Sequence, residues 1–227
     1  MPTNRPVVSR DIFRFLRDLA RHNNKAWMDA NRERYRAELV EPFRSLLDCF
    51  APAARKLNPR FSVSGRVGVN FSRINRDIRF ARDKTPYRPQ MYLFFAQGDG
   101  EAGQLYIGAA PDSVTCGFRI YGHKRVAPLV QFGRPRGAAQ TAWIERQRKK
   151  LCRGYESYWY STEKGEWTKH AGWPAKPEDW KKLQGWIVRK KFTRSAATRG
   201  AFHAEACKIF REMYPLYRFA GSPDWKE

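Results

Sequence analysis

Acidic residues are scarce in this chain: 22 Asp+Glu stand against 44 Lys+Arg, so the formal charge is +22 at neutral pH. A protein so short of carboxylates is expected to meet negatively charged partners. Cysteine is sparse too. Cys49, Cys116, Cys152 and Cys207 lie far apart, with no C-x-x-C pair and no His at ligand spacing, which excludes a disulfide framework and a zinc site and reads as reduced, mostly buried thiols. No metal and no cofactor is expected. Apolar runs of about 18 residues, the minimum for a membrane span, are missing. The N-terminal MPTNRPVVSRDIFRF has no apolar stretch ending in a small-residue cleavage site. A cytoplasmic protein without membrane association is expected. The four histidines, His22, His123, His170 and His203, have no Ser, Cys or His partner at catalytic spacing. Gly98-Asp99-Gly100 is not followed by Gly-Lys-Ser/Thr, so it reads as a hairpin turn rather than a phosphate cradle. Repeats and low-complexity tracts are absent as well.

What is present is apolar and aromatic. Hydrophobic residues make up 42% of the 227 positions, and the aromatics are 15 Phe, 10 Tyr and 8 Trp, enough to build a core and exclude wholesale disorder. Positive charge is spread over every part of the chain rather than held in a tail, so it belongs to the folded surface. A single domain spanning 1–227 is expected.

Periodicity divides the chain into three stretches. Residues 9–56 read helical: Ile12, Phe13, Leu16, Leu19 and Ala20 form one stripe behind Ser9 as N-cap, and the helix should stop near His22-Asn23-Asn24. Asn24 caps a second run carrying Trp27, Tyr35 and Leu39, which should kink or restart at Pro42; Phe43, Leu46, Leu47 and Phe50 continue the stripe to Pro52. From 61 to 121 the period becomes two. Phe61, Val63, Val67, Val69 and Phe71 occupy odd positions, and Val114, Cys116, Phe118 and Ile120 even ones. Strands are predicted at 61–72, 90–97, 103–110 and 113–121, joined as an antiparallel meander. Helical period returns from 138 to 213, with Trp143, Ile144, Gln147 and Leu151 on one helix, Trp180, Leu183 and Ile187 on a short one, and Phe202, Ala206, Ile209, Phe210 and Met213 on the last. Strands in the middle and helices at both ends make the fold class α+β, an antiparallel central sheet with N- and C-terminal helices packed on one face.

The densest information lies in S-R-I-N-R-D-I-R-F-A-R-D-K-T-P-Y, Ser72 to Tyr87. Arg73, Arg76, Arg79, Arg82 and Lys84 meet only Asp77 and Asp83, and Ile74, Ile78 and Phe80 interleave with them. Charges so close to apolar residues need partners, so each Asp should accept from an Arg or Lys, and Asp77→Ala should destabilise the fold. The cationic excess suggests an anion-binding site of Arg73, Arg76, Arg79 and Lys84 with Tyr87 as a hydrogen-bonding wall. The competing reading is a structural ion-pair knot. A catalytic version would make Asp77 or Asp83 a general acid or base, but neighbouring arginines depress carboxylate pKa values and the spacing is no metal signature.

This segment, together with Phe15–Tyr35 (FLRDLARHNNKAWMDANRERY), Arg153-Gly154-Tyr155 and Lys191-Phe192, resembles a widespread bacterial and fungal family catalogued only as a domain of unknown function. The likeness covers most of the chain. Cys152 stands where that family usually has Pro, and the Trp- and Lys-rich stretch Glu156–Glu178 matches it weakly. The resemblance implies the fold just described and brings no established activity.

The C-terminal third adds a second cationic signal. Arg146, Arg148, Lys149, Lys150 and Arg153 fall on one predicted helix; Arg189, Lys190, Lys191, Arg194 and Arg199 form a run without an acid. Tyr155, Tyr158, Trp159, Tyr160, Trp167, Trp173 and Trp180 lie between them. Cations follow a phosphate backbone and ring faces stack on bases, so the expected function is binding of nucleic acid or another polyanion. Phosphates would meet Arg146, Arg148, Lys149, Lys150, Arg189, Lys190, Lys191 and Arg194, and bases would meet Trp159 and Trp173. The alternatives are an enzyme acting on a phosphorylated substrate at the central Arg/Asp motif, and an interaction module for an acidic protein.

Overall fold

The computed structural model describes residues 8–79, 83–98, 103–121, 126–161 and 165–222. Phe80, Arg82, Asp99, Gly100 and His123 lie outside the described residues. The chain is α+β, with helices and a six-stranded antiparallel sheet of order β1-β2-β3-β6-β4-β5. The strands are β1 Met91–Phe95, β2 Gln104–Ala110, β3 Ser113–Tyr121, β4 Glu156–Ser161, β5 Trp167–His170 and β6 Leu183–Thr193. Two compact units are distinguished by internal contacts. One comprises Met1–Phe95, Ile107–Thr115 and Lys191–Lys208; the other comprises Ala96–Tyr106, Cys116–Lys190 and Ile209–Glu227.

In the first unit α1 (Arg10–Arg21) starts where Ser9 accepts from the Asp11 N–H, and it buries Ile12, Phe13, Phe15, Leu16 and Leu19. Asn24 caps α2 (Lys25–Ala30) by accepting from the Trp27 N–H. Phe15 meets Trp27 at 5.7 Å and Tyr35 at 5.8 Å, so the Leu…Asn-Asn…Trp element builds a core. A short α3 (Arg32–Arg34) leads into a π-helical turn, Tyr35–Val40, and then α4 (Glu41–Leu57). The cause of the π turn is Pro42: it has no N–H for the ladder and its ring crowds the carbonyl four residues back. Here the preceding Glu41 N–H reaches five residues back to Arg36 O. Pro52 does not end α4, which runs on to Leu57.

The predicted strand over 61–72 is not formed. Gly65 and Gly68 take positive φ, at 68° and 86°, which breaks the pleat. Asn70, 1% exposed, organises the segment in its place. Its Nδ2 donates to Ser62 O (2.7 Å) and Phe94 O (3.0 Å), and its Oδ1 accepts from the Gly65 N–H (3.0 Å). Only single bridges remain, Val67 to Phe71 and Phe71 to Leu93. Phe61 and Phe71 still enter the core as the alternation requires, but Val67 is exposed.

In the second unit three strands stand where helical period was expected. The helix after Pro177 is only α7 (Pro177–Lys181), and Leu183 and Ile187 belong to β6. Strands β4 and β5 pair antiparallel with Tyr158 opposite Lys169 and Tyr160 opposite Trp167; β4 and β6 pair with Tyr158 opposite Ile187 and Glu156 opposite Arg189. One face of this part of the sheet is packed: Trp186 meets Phe132 of α5 (Val126–Gly133) at 5.1 Å, Trp173 at 4.8 Å and Trp180 at 5.0 Å. Helix α6 (Ala138–Cys152) buries Trp143, Ile144 and Leu151. The four-residue α8 (Arg194–Ala197) belongs to the first unit; the last helix, α9 (Phe202–Gly221), contributes to the second from Ile209 onward, and there Trp143 stacks on Phe219 at 4.8 Å.

Candidate functional site

The central motif folds back on itself. Asn75 bridges Tyr87 antiparallel, the Arg76 N–H donates to Pro86 O and the Arg88 N–H to Ile74 O, which closes residues 74–88 into a hairpin-like loop. Asn23, the unexplained half of the Asn-Asn pair, grips it: Nδ2 donates to Tyr87 O at 2.8 Å and Oδ1 accepts from the Tyr87 N–H at 3.0 Å. Within the loop, Arg76 donates to both Asp83 and Thr85 Oγ1. Arg79 donates to Asp77, with a closest contact of 2.7 Å. Lys84 Nζ donates to Ile78 O and Arg79 O, at 3.0 and 3.3 Å.

Both aspartates are therefore paired, as the charge pattern requires. They are also exposed, each side chain at 61% of its full surface, so the pairs are screened and removal of Asp77 strands no buried charge. Tyr87 is buried, and its place is in the core rather than as a wall over an anion. Arg76, Arg79 and Lys84 are all spent on the loop itself; Arg73 is exposed with no partner among the described residues. The hydrogen bond from the Thr85 N–H and the contact with Arg76 bring the Asp83 pKa down to about 2, and Arg79 lowers that of Asp77. Carboxylates so acidic are poor general bases at neutral pH. The geometry is that of a tied loop.

The cations of α6 are arranged differently. The inward positions Trp143, Ile144 and Leu151 leave Arg146, Lys149, Lys150 and Arg153 exposed at i, i+3, i+4 and i+7, one continuous stripe. Arg148 sits beside it, held by Glu145 at 2.7 Å. Arg148, Lys149, Lys150, Cys152 and Arg153 line a hollow of about 530 Å³. Arg148 also borders a smaller hollow of about 210 Å³ whose walls include Phe132, Thr141, Ile144, Glu145, Pro174 and Trp180. Burial pushes the Cys152 thiol up, so the basic hollow holds no activated nucleophile at Cys152. Just past the helix, Tyr155 donates to Glu212 and ties the Arg-Gly-Tyr element to α9.

The basic run 189–194 is divided by strand alternation. Arg189 is drawn into the sheet surface, ion-paired with Glu156 at 3.2 Å and lying over the Tyr158 ring at 4.1 Å. Lys190 and Lys191 are exposed. Arg194 reaches Asp112 at 3.8 Å, a loose pair. Trp159 stacks on His170 at 3.8 Å and donates to Ser157 Oγ; Trp173 is buried against Phe132 and Trp186, and its ring is not available to a base. Of the cysteines, Cys116 and Cys207 are buried, while Cys49 and Cys152 are exposed. Among the described residues no cluster of three or more His, Cys, Asp or Glu could hold a metal, and no helix is long and apolar enough to cross a membrane.

Sequence reasoning missed Asn23, whose partner Tyr87 is remote in sequence, and Asn70, which joins the local Ser62 and Gly65 to the remote Phe94. It also missed the smaller hollow, whose walls come from three separate stretches, 132–135, 141–148 and 173–180. No curated protein matches the chain. A family profile does match, over residues 11–219, which takes in the tied loop, the α6 stripe and most of α9. The chain belongs to DUF2461, a family of conserved hypothetical proteins.

Proposed function

We propose that this protein binds nucleic acid or another polyanion, with the outward stripe of α6 as its phosphate-tracking surface. The observation that carries this reading is the placement of Arg146, Lys149, Lys150 and Arg153 on one exposed helix face, three of its members lining the basic hollow. Lys149 and Lys150 each lie three or four residues from Arg153, spacings at which like charges repel by a few tenths of a kcal/mol in water, and a bound polyanion relieves that repulsion while releasing its own counterions. Part of the stripe is explained by the helix dipole, which favours Lys149 and Lys150 in the last turn. Arg146 lies beyond the reach of that effect, and Arg153 follows the helix end.

Charge reversal tests the reading. In fluorescence-anisotropy titrations at low salt, Lys149→Glu with Lys150→Glu is expected to weaken binding of a labelled oligonucleotide by about tenfold or more, alike for all sequences. Unchanged affinity with the fold intact contradicts it.

A further inference from the structure

We infer a second binding element in the same unit: the open face of β3, β6, β4 and β5 is a base-stacking platform for single-stranded nucleic acid. This rests on the polyanion reading and specifies its ligand. Pairing of Tyr160 with Gly185 and Trp167, and of Tyr158 with Ile187 and Lys169, puts these residues on one face. Ser157, Trp186 and Val188 are buried on the other, where the Trp186 ring packs against Phe132, Trp173 and Trp180. An antiparallel sheet with one face packed ordinarily presents polar side chains on the second. Here the second face carries rings. Tyr121 lies 5.3 Å from Tyr160 and 5.4 Å from Trp167, and Tyr160 lies 5.4 Å from Trp167.

Gly185 makes this closeness possible. A Cβ there would stand 2.7 Å from Trp167 and 2.8 Å from Tyr121, so only glycine lets both rings lie over β6. The cluster is accessible: Tyr121 is 38% exposed, and Tyr160 and Trp167 are each half-buried. Its border is cationic. Lys169 (2.9 Å) and Arg189 (3.2 Å) share the single carboxylate of Glu156, leaving an excess of positive charge beside the rings. Flat apolar faces next to unbalanced cations complement a ligand that alternates flat rings with anions. A single strand presents both; a duplex hides its base faces, and inorganic polyphosphate or an acidic peptide has no use for the rings.

The experiment compares two probes, a short oligothymidylate and inorganic polyphosphate, against the wild-type chain, Tyr121→Ala and Trp167→Leu, each variant checked for an unaltered thermal melt. The platform predicts that each substitution weakens oligothymidylate binding roughly five- to a hundredfold and leaves polyphosphate binding unchanged. In the wild-type chain the Trp167 indole N–H resonance should shift with oligothymidylate and stay in place with polyphosphate. This readout decides the matter if a variant fails to fold. Equal affinity of wild type and folded variants for oligothymidylate, or an indole resonance indifferent to it, overturns the platform while polyphosphate binding keeps the polyanion reading standing. Absence of binding to either probe at low salt overturns both.

Discussion

Single side chains with remote partners hold the tied loop and the segment before it. Asn23 and Asn70 each hold backbone with a side-chain amide, Asn23 at the Tyr87 N–H and carbonyl and Asn70 at the Phe94 carbonyl, and so add to the single bridges Asn75–Tyr87 and Phe71–Leu93. Asn24 was legible in the sequence because a cap acts three residues away; Asn23 was not, because its partner is 64 residues on. The pairing of Asp77 and Asp83 was legible from charge alone, whereas their exposure was not. Asp83 makes a pH prediction. Its pKa in the fold, about 2, lies below the unfolded carboxylate value of about 3.9. Its contribution to the loop is therefore complete above that unfolded value and is lost as pH falls through the folded one. The Thr85 amide resonance, which reports the hydrogen bond to Asp83, should titrate with a midpoint near 2 rather than near 3.9.

At the level of elements, the N-terminal helices and β3 could be read from the period of their apolar positions, and β1 and β2 as short apolar runs between turn residues. Two segments misled this reading. Phe61–Phe71 alternates as a strand does, yet Gly65 and Gly68 turn the backbone and Asn70 supplies the hydrogen bonds. Trp180, Leu183 and Ile187 are spaced as on a helix, yet the helix ends at Lys181, and Gly185 with β-branched Ile187 and Val188 suits the strand that follows. Strand β6 enters the sheet between β3 and β4, and its contact with β3 depends on Gly117. A Cβ at that position would lie 2.1 Å from Val188 O and 2.7 Å from Arg189 Cα. Backbone cannot yield as a flexible side chain can, so Gly117→Ala is expected to cost roughly 3 kcal/mol or more. A urea midpoint equal to that of the wild-type chain would show that β6 does not approach β3 so closely.

For the whole molecule, charge was legible as a quantity and not as a pattern. The sequence counts 44 cations, but the fold decides which are spoken for: Arg76, Arg79 and Lys84 by their own loop, Arg148 by Glu145, Arg189 by Glu156. Exposure is a separate property, and on α6 Arg146, Lys149, Lys150 and Arg153 share it. The salt dependence of binding measures this directly, since each phosphate neutralised on a single strand contributes about −0.7 to the slope of log K against log salt. Four contacts on α6 predict a slope of roughly −3 for a single-stranded oligonucleotide, and Lys149→Glu with Lys150→Glu should flatten it by about 1–2 units. A slope near zero in the wild-type chain, or one left unchanged by the double substitution, would contradict the assignment of α6 as the polyanion-binding surface.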